Sequence, residues 1–181
     1  MVTLTPELEA DAPAREALLD RAFGGKRLRK TSQRFRDGRL PAAGLAFAAR
    51  DKSGRLTGTV RLWNIIAGST GPALLLGPVA VECRSRGKGI GAALMRHAIA
   101  EARRLGHSAI LLVGDAPYYS RFGFSQGLAA GLHLPGPFER HRLLGLELHS
   151  GALDGAEGLC SPCGRLDGGI RSLGPAVAAA G

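Results

Sequence analysis

Two runs in the middle of the chain set its pattern. Residues 74–81 (LLLGPVAV) are apolar without alternation, as expected of a central strand covered on both faces. Residues 90–105 place Ile90, Ala93, Leu94, Ala98, Ala102 and Leu105 on one helical stripe, with Arg96, His97, Glu101, Arg103 and Arg104 opposite. That spacing predicts an amphipathic helix stopped by Gly106, with His97 and Glu101 a solvated pair. Before this pair of elements, residues 2–4 predict a short strand and 7–23 a helix ending at Gly24-Gly25. Residues 45–49 and 56–66 predict strands joined by the hairpin turn Asp51-Lys52-Ser53-Gly54. After it come a buried strand at 109–113, a short helix opened by Asp115 as N-cap and Pro117, and last strands at 128–134 and 143–148.

Pro78 changes the reading of the central strand. It has no N–H for a ladder, so it implies a bulge or an unpaired stretch. The connection that follows, Arg84-Ser85-Arg86-Gly87-Lys88-Gly89-Ile90-Gly91-Ala92, carries three glycines at alternate positions, two arginines before the first of them and Lys88. Glycines there allow a tight turn, and the next helix aims its positive dipole end at the same spot. The arrangement favours an anion, foremost the phosphates of a cofactor. A P-loop is excluded because Lys88 is followed by glycine and isoleucine. Gly87-x-Gly89-x-x-Ala92, with Asp115 as ribose acid, mimics a dinucleotide fingerprint. However, five residues separate the strand from its first glycine, and too few βα units follow.

The third pattern is R-x-x-G-x-G/A, met by Arg86-Gly87-Lys88-Gly89-Ile90-Gly91. With Gly77-Pro78-Val79-Ala80-Val81 before it and Tyr119-Ser120-Arg121-Phe122-Gly123-Phe124 after it, the chain resembles the GNAT N-acetyltransferases. The wording Gly114-Asp115-Ala116-Pro117-Tyr118-Tyr119 is similar to the YhbS-like branch of that superfamily. The resemblance implies an α/β (α+β) fold: a mixed, largely antiparallel sheet of six to seven strands with a splayed central parallel pair, flanked by about four helices. It implies acetyl-CoA as co-substrate and no metal. Val79, Ala80 and Val81 would hold the pantetheine arm by their backbone, and Arg86, Gly87, Lys88, Gly89, Ile90, Gly91 and Ala92 the pyrophosphate. Tyr119 would protonate the departing thiolate, with Tyr118 one residue away as the rival. Glu82, or water, would deprotonate the amine, which attacks the thioester directly. A CoA-binding sensor without catalysis is the alternative.

Composition adds less. The formal charge is +9, and only Lys26, Lys30, Lys52 and Lys88 of the 24 basic residues are lysines. Residues 26–39 hold seven of the cations and one acid, Asp37. This reads first as a solvated helix face or loop, and second as a surface for an acidic acceptor or for nucleic acid. Phe35 is the lone aromatic there, so nucleic acid is not favoured as a partner. Trp63 reads as core or as acceptor wall, and His133, Glu139 and His141 as rim residues within reach of an amine. Cys83, Cys160 and Cys163 form no disulfide framework, and the Cys160-x-x-Cys163 pair lacks a second pair for zinc. Expected partners are an amine acceptor of undefined structure and a second copy of the chain as a homodimer, with no membrane and a cytoplasmic location. One domain over 1–149 is expected, followed by a Gly/Ala-rich, loosely packed or partly disordered tail over 150–181.

Overall fold

The computed structural model describes residues 2–168. The strands are β1 (Thr3–Pro6), β2 (Ala46–Arg50), β3 (Leu56–Ala67), β4 (Pro72–Val81), β5 (Ala109–Val113), β6 (Gly131–His133), β7 (Leu143–Glu147) and β8 (Glu157–Pro162). They make one sheet in the order β1-β2-β3-β4-β5-β7, with β8 bridging from β3 to β6. Neighbours along the main path are antiparallel except β4 and β5, which run parallel; β6 and β8 are also parallel. This is the mixed sheet with a parallel central pair that the sequence predicts, one strand larger.

Helix α1 (Ala12–Phe23) covers one face and α2 (Ile90–Arg104) the other. From α2, Ile90, Leu94, Met95, Ala98 and Ala102 pack on Phe47, Val60, Leu62, Leu74, Leu76 and Ile110. On the opposite face Trp63, Ile65, Leu75 and Leu111 gather Phe35, Leu132, Leu143 and Leu153 into a second core. Leu74 and Leu76 thus face α2 while Leu75 faces away, which is why β4 reads as an unbroken apolar run. Leu105 leaves the predicted stripe; it caps α2 and is 42% exposed. His97 and Glu101 do not pair: His97 stands edge-on to Phe47 and Glu101 binds Arg104.

The start of α1 is tied to the sheet by charge. Glu7, only 4% exposed in its side chain, binds Arg15 on the helix and Arg61 on β3. Near it Asp11 accepts from Arg50 at 2.6 Å and from the Leu8 N–H at 2.8 Å.

The expectation of a loose tail from residue 150 is corrected for the part described. Residues 149–156 turn back over Leu153, and β8 then pairs with β3 through Ile65↔Pro162, Ile66↔Ser161 and Ala67↔Cys160. Cys160 is fully buried there, and Leu40 N–H bonds Arg165 O beyond it. The remainder of that expectation, from residue 169, lies outside the described residues. Among the described residues no helix is long and apolar enough to cross a membrane.

Candidate active site

The parallel pairing of β4 with β5 has two rungs, Leu74↔Ile110 and Leu75↔Leu111. Beyond Leu75 the two strands part. On its other edge β4 stays with β3, but the register jumps from Leu62↔Leu76 to Val60↔Val79, so Gly77 and Pro78 both stand opposite Arg61. This is the bulge that Pro78 predicts, and the Gly77-Pro78 peptide is cis.

The bulge decides which backbone groups face the gap. Glu82 N–H donates to Thr57 O across the β3–β4 pair, so Glu82 and, two residues back, Ala80 turn their backbone groups toward β3. Val79 and Val81 must then turn theirs toward the gap. Of the three strand residues expected to hold a ligand arm, two offer free backbone groups, and Ala80 is spent on Thr59.

At the far end of β4 the connection makes one 3-10 turn, Cys83–Ser85, and Arg86 is extended. Gly87 and Gly89 both have φ of 76°, a left-handed conformation that disfavours a side chain. Gly89 is the N-cap of α2, and no side chain caps the helix. Its first N–H groups are therefore open to an anion, at the positive end of a 15-residue helix. Arg84, Arg86 and Lys88 are exposed around the turn. Gly91, unlike Gly87 and Gly89, has ordinary helical backbone and marks instead how near the helix comes to the cavity wall. A Cβ on it would lie 3.4 Å from the Tyr118 hydroxyl and 3.6 Å from Val81, so the first turn of α2 passes close under both. A diphosphate-bearing thioester such as acetyl-CoA suits this set: an uncapped helix end with cations for the phosphates, and an unpaired strand edge for an amide-containing arm.

Between the parted strands lies a cavity of about 430 Å³. One wall is Leu75 to Val79 of β4. The other is Leu112 to Asp115 with Tyr118 and Tyr119 from α3 (Ala116–Tyr119). The Lys26–Arg39 stretch, expected as a solvated face, forms much of the third side. It folds into 3-10 turns, Gly25–Arg29 and Thr31–Phe35, and Thr31 and Arg34 bond the carbonyls of Pro137 and Pro135 across the opening. Lys30 and Arg36 face the cavity from this segment, and Glu139 and Arg142 from the other.

Tyr119 is positioned by close packing. Its ring lies against Gly114, where a Cβ would sit 2.2 Å from Cε2, and edge-on to Tyr118 and Phe124. Burial, with the Tyr118 phenol and the Asp115 carboxylate adding to it and Arg142 opposing, holds its hydroxyl above the usual tyrosine range. It therefore keeps its proton. No hydrogen bond to a described residue engages that hydroxyl. Asp115 sits at the N-cap of α3 but caps it by its backbone carbonyl, not by its side chain.

Glu82 is not brought to the cavity. Its carboxylate lies on the α1 face, bound to Arg21. His133 and His141 also miss the lining, His133 accepting from Arg140. Of the carboxylates considered from sequence, only Glu139 and Asp115 reach it. Trp63 belongs to the core. Cys160 and Cys163 are free thiols with no metal-binding cluster around them among the described residues, and burial pushes Cys160 up to about 11. Arg36 and Arg142 carry no motif in the sequence; only the folded chain gathers them.

The chain matches the acetyltransferase (GNAT) family over residues 13–124. It is 30% identical over 159 residues to the uncharacterized N-acetyltransferase YhbS of Escherichia coli strain K12, covering 84% of this chain and 91% of that protein. The crystal structure of YhbS from Escherichia coli in complex with CoA superposes with a TM-score of 0.75 at 27% identity, over 91% of this chain and 96% of that one. A GNAT family acetyltransferase from Brucella melitensis, solved with acetyl-CoA, shares the fold with a TM-score of 0.59 at 23% identity, over 85% of this chain and 99% of that one. With the parted strands, the glycine turn and the tyrosine in one order and one geometry, the chain belongs to the GNAT family of acetyltransferases.

Proposed function

We propose that this protein transfers an acyl group, in the first place acetyl, from acetyl-CoA to a primary amine, with both substrates bound together. The observation that carries the reading is the two-rung pairing of β4 with β5, followed by an edge whose free backbone groups lead to Tyr119. The CoA held by the similar YhbS structure supports the same ligand here.

Acetyl-CoA supplies an activated thioester. The N–H groups at the start of α2, with Arg86 and Lys88, bind its phosphates, and the backbone of Val79 and Val81 pairs with the amide arm as an added strand. An N–H in this gap polarises the acyl carbonyl. The amine gives up a proton to water or to Glu139, which lines the cavity where Glu82 does not. The amine nitrogen forms its bond to the acyl carbon as the carbon–sulfur bond breaks. Tyr119 Oη then gives its proton to the departing sulfur, a role suited to a phenol that burial keeps protonated. No acyl-enzyme is required; catalysis is mainly positioning.

Thiol release from acetyl-CoA over a panel of amines tests the proposal. Amine-dependent release that is lost on substituting Tyr119 is expected. Tight CoA binding with no release on any amine would replace it with the non-catalytic sensor.

A further inference from the structure

The acceptor end of the cavity carries more positive charge than its own ion pairs use. Arg27 is engaged, donating to Asp20 at 2.8 Å and Glu16 at 2.6 Å. Lys30 lies over the Phe23 ring, 5.4 Å from its centroid. Arg142 stands 3.6 Å from Glu139, and its Nε is buried without a partner. The Arg36 side chain has less still: its guanidinium makes no hydrogen bond or ion pair to any described residue, and its buried Nε has no acceptor. Its neighbour Asp37 is occupied by Gln33 at 2.8 Å. The Arg36 Nη2 lies 4.0 Å from where a Cβ on Gly77 would be, so the guanidinium rests against the bulge where β4 leaves β5.

A guanidinium is a rigid fork of donors matched to a planar or tetrahedral oxyanion, and a buried one without a partner is costly. Burial, only partly offset by Asp37, drives Arg36 down to about 10, which marks a charge that its own surroundings do not satisfy. An oxyanion at this point would answer both the geometry and the charge. The cavity must also take the acyl end of the donor, so what remains suits a small molecule.

We infer that the acceptor is a small amine bearing a carboxylate or phosphate a short linker away from the nitrogen, and that Arg36, seconded by Arg142, receives that oxyanion. The inference rests on the acyltransferase reading for the identity of the amine but not for the anion subsite itself.

The test is calorimetry on the CoA-loaded protein with N-acetyl ω-amino carboxylates of one to four methylenes, their phosphonate counterparts and their amides. At least one anionic member is expected to bind ~10- to ~100-fold tighter than its amide, as loss of hydrogen bonds to a charged group implies. The preference should vanish in Arg36→Ala and survive in part in Arg36→Lys. The carboxylate and phosphonate arms tell which oxyanion fits. CoA binding by each variant reports that it is folded; if Arg36→Ala is not, Arg36→Gln takes its place. Equal or absent binding of anionic and neutral members overturns the inference, as does a preference that Arg36→Ala or Arg36→Gln leaves intact, since water alone then fills the subsite. Thiol release with the parent amines is read separately. Anion preference without any release would sink the transferase reading and leave the subsite standing.

Discussion

The indole Nε1 of Trp63 donates to the carbonyl of Gly77 at 2.7 Å, inside the second core. Trp63 sits on β3 across from Leu75, so the bond reaches along the pair to the bulge and fixes the carbonyl where β4 changes register. A buried carbonyl left without a donor costs about 1–3 kcal/mol. Trp63→Phe keeps most of the ring and removes the donor. Denaturant unfolding is expected to show a loss in that range, with weaker CoA binding in calorimetry, because the strand edge facing the gap is no longer held. Unchanged stability would mean that the bulge does not depend on this bond.

Tyr119 carries the proton transfer in the proposed reaction. Tyr119→Phe is expected to lower kcat about 10²-fold or more, within the usual span for a lost general acid, while CoA affinity stays near wild type. Since the phenol is held above the usual tyrosine range by burial, the wild-type rate should not fall on the alkaline side until above pH ~10. A fall centred well below that, or a larger effect from Tyr118→Phe, would move the role elsewhere.

Gly89 has φ of 76° with open space around it, so a substitution there meets strain and not a clash. Gly89→Ala should cost about 1–2 kcal/mol from the left-handed conformation alone. Relief of that strain would pull the first N–H groups of α2 off line. CoA binding is expected to weaken more than thermal stability falls, and the comparison of calorimetry with thermal unfolding checks it.

Asp11 gives the fold a pH dependence of known sign. Burial raises its carboxyl, but the Arg50 hydrogen bond, the Leu8 N–H and the charges of Arg50 and Arg15 outweigh it, and the net result lies below the ordinary 3.8. The unfolded chain therefore takes up the proton first as pH falls. The stability from this group is complete above the unfolded value and is lost as pH drops through the folded one. Asp11→Asn should lower the melting temperature at pH 7 and flatten its decline below pH ~4; parallel curves for the two proteins would refute the assignment.

Much of the site was legible because it is built from backbone. An unbroken apolar strand, a proline that cannot donate, and glycines where a turn must go left-handed all leave marks in a single sequence. Tyr119 was marked by the family resemblance, and the fold puts it on the cavity wall. What stayed hidden depends on partners far along the chain. Residues 26–39 looked like a solvated charge run because 3-10 turns have no apolar period; loop carbonyls some hundred residues away make them a cavity wall. β8 hid in Gly- and Ser-rich sequence, since its pairing with β3 and the burial of Cys160 hold it more than strand propensity does. The side-chain face of Glu82 is hidden for a related reason: nearness in sequence to the glycine turn says nothing of it, and Arg21 binds the carboxylate away from the cavity lining.

The brevity of the ladder at Leu74 and Leu75 also bears on any attempt to make this protein hardier. Knitting β4 and β5 together beyond Leu75 would add backbone bonds and should raise heat tolerance. Each added rung, though, would occupy the polar edge that a donor substrate needs, so robustness gained at that seam would be taken from turnover. Stabilising changes belong instead on the β8 side, where the strand is paired with both β3 and β6 and does not line the cavity.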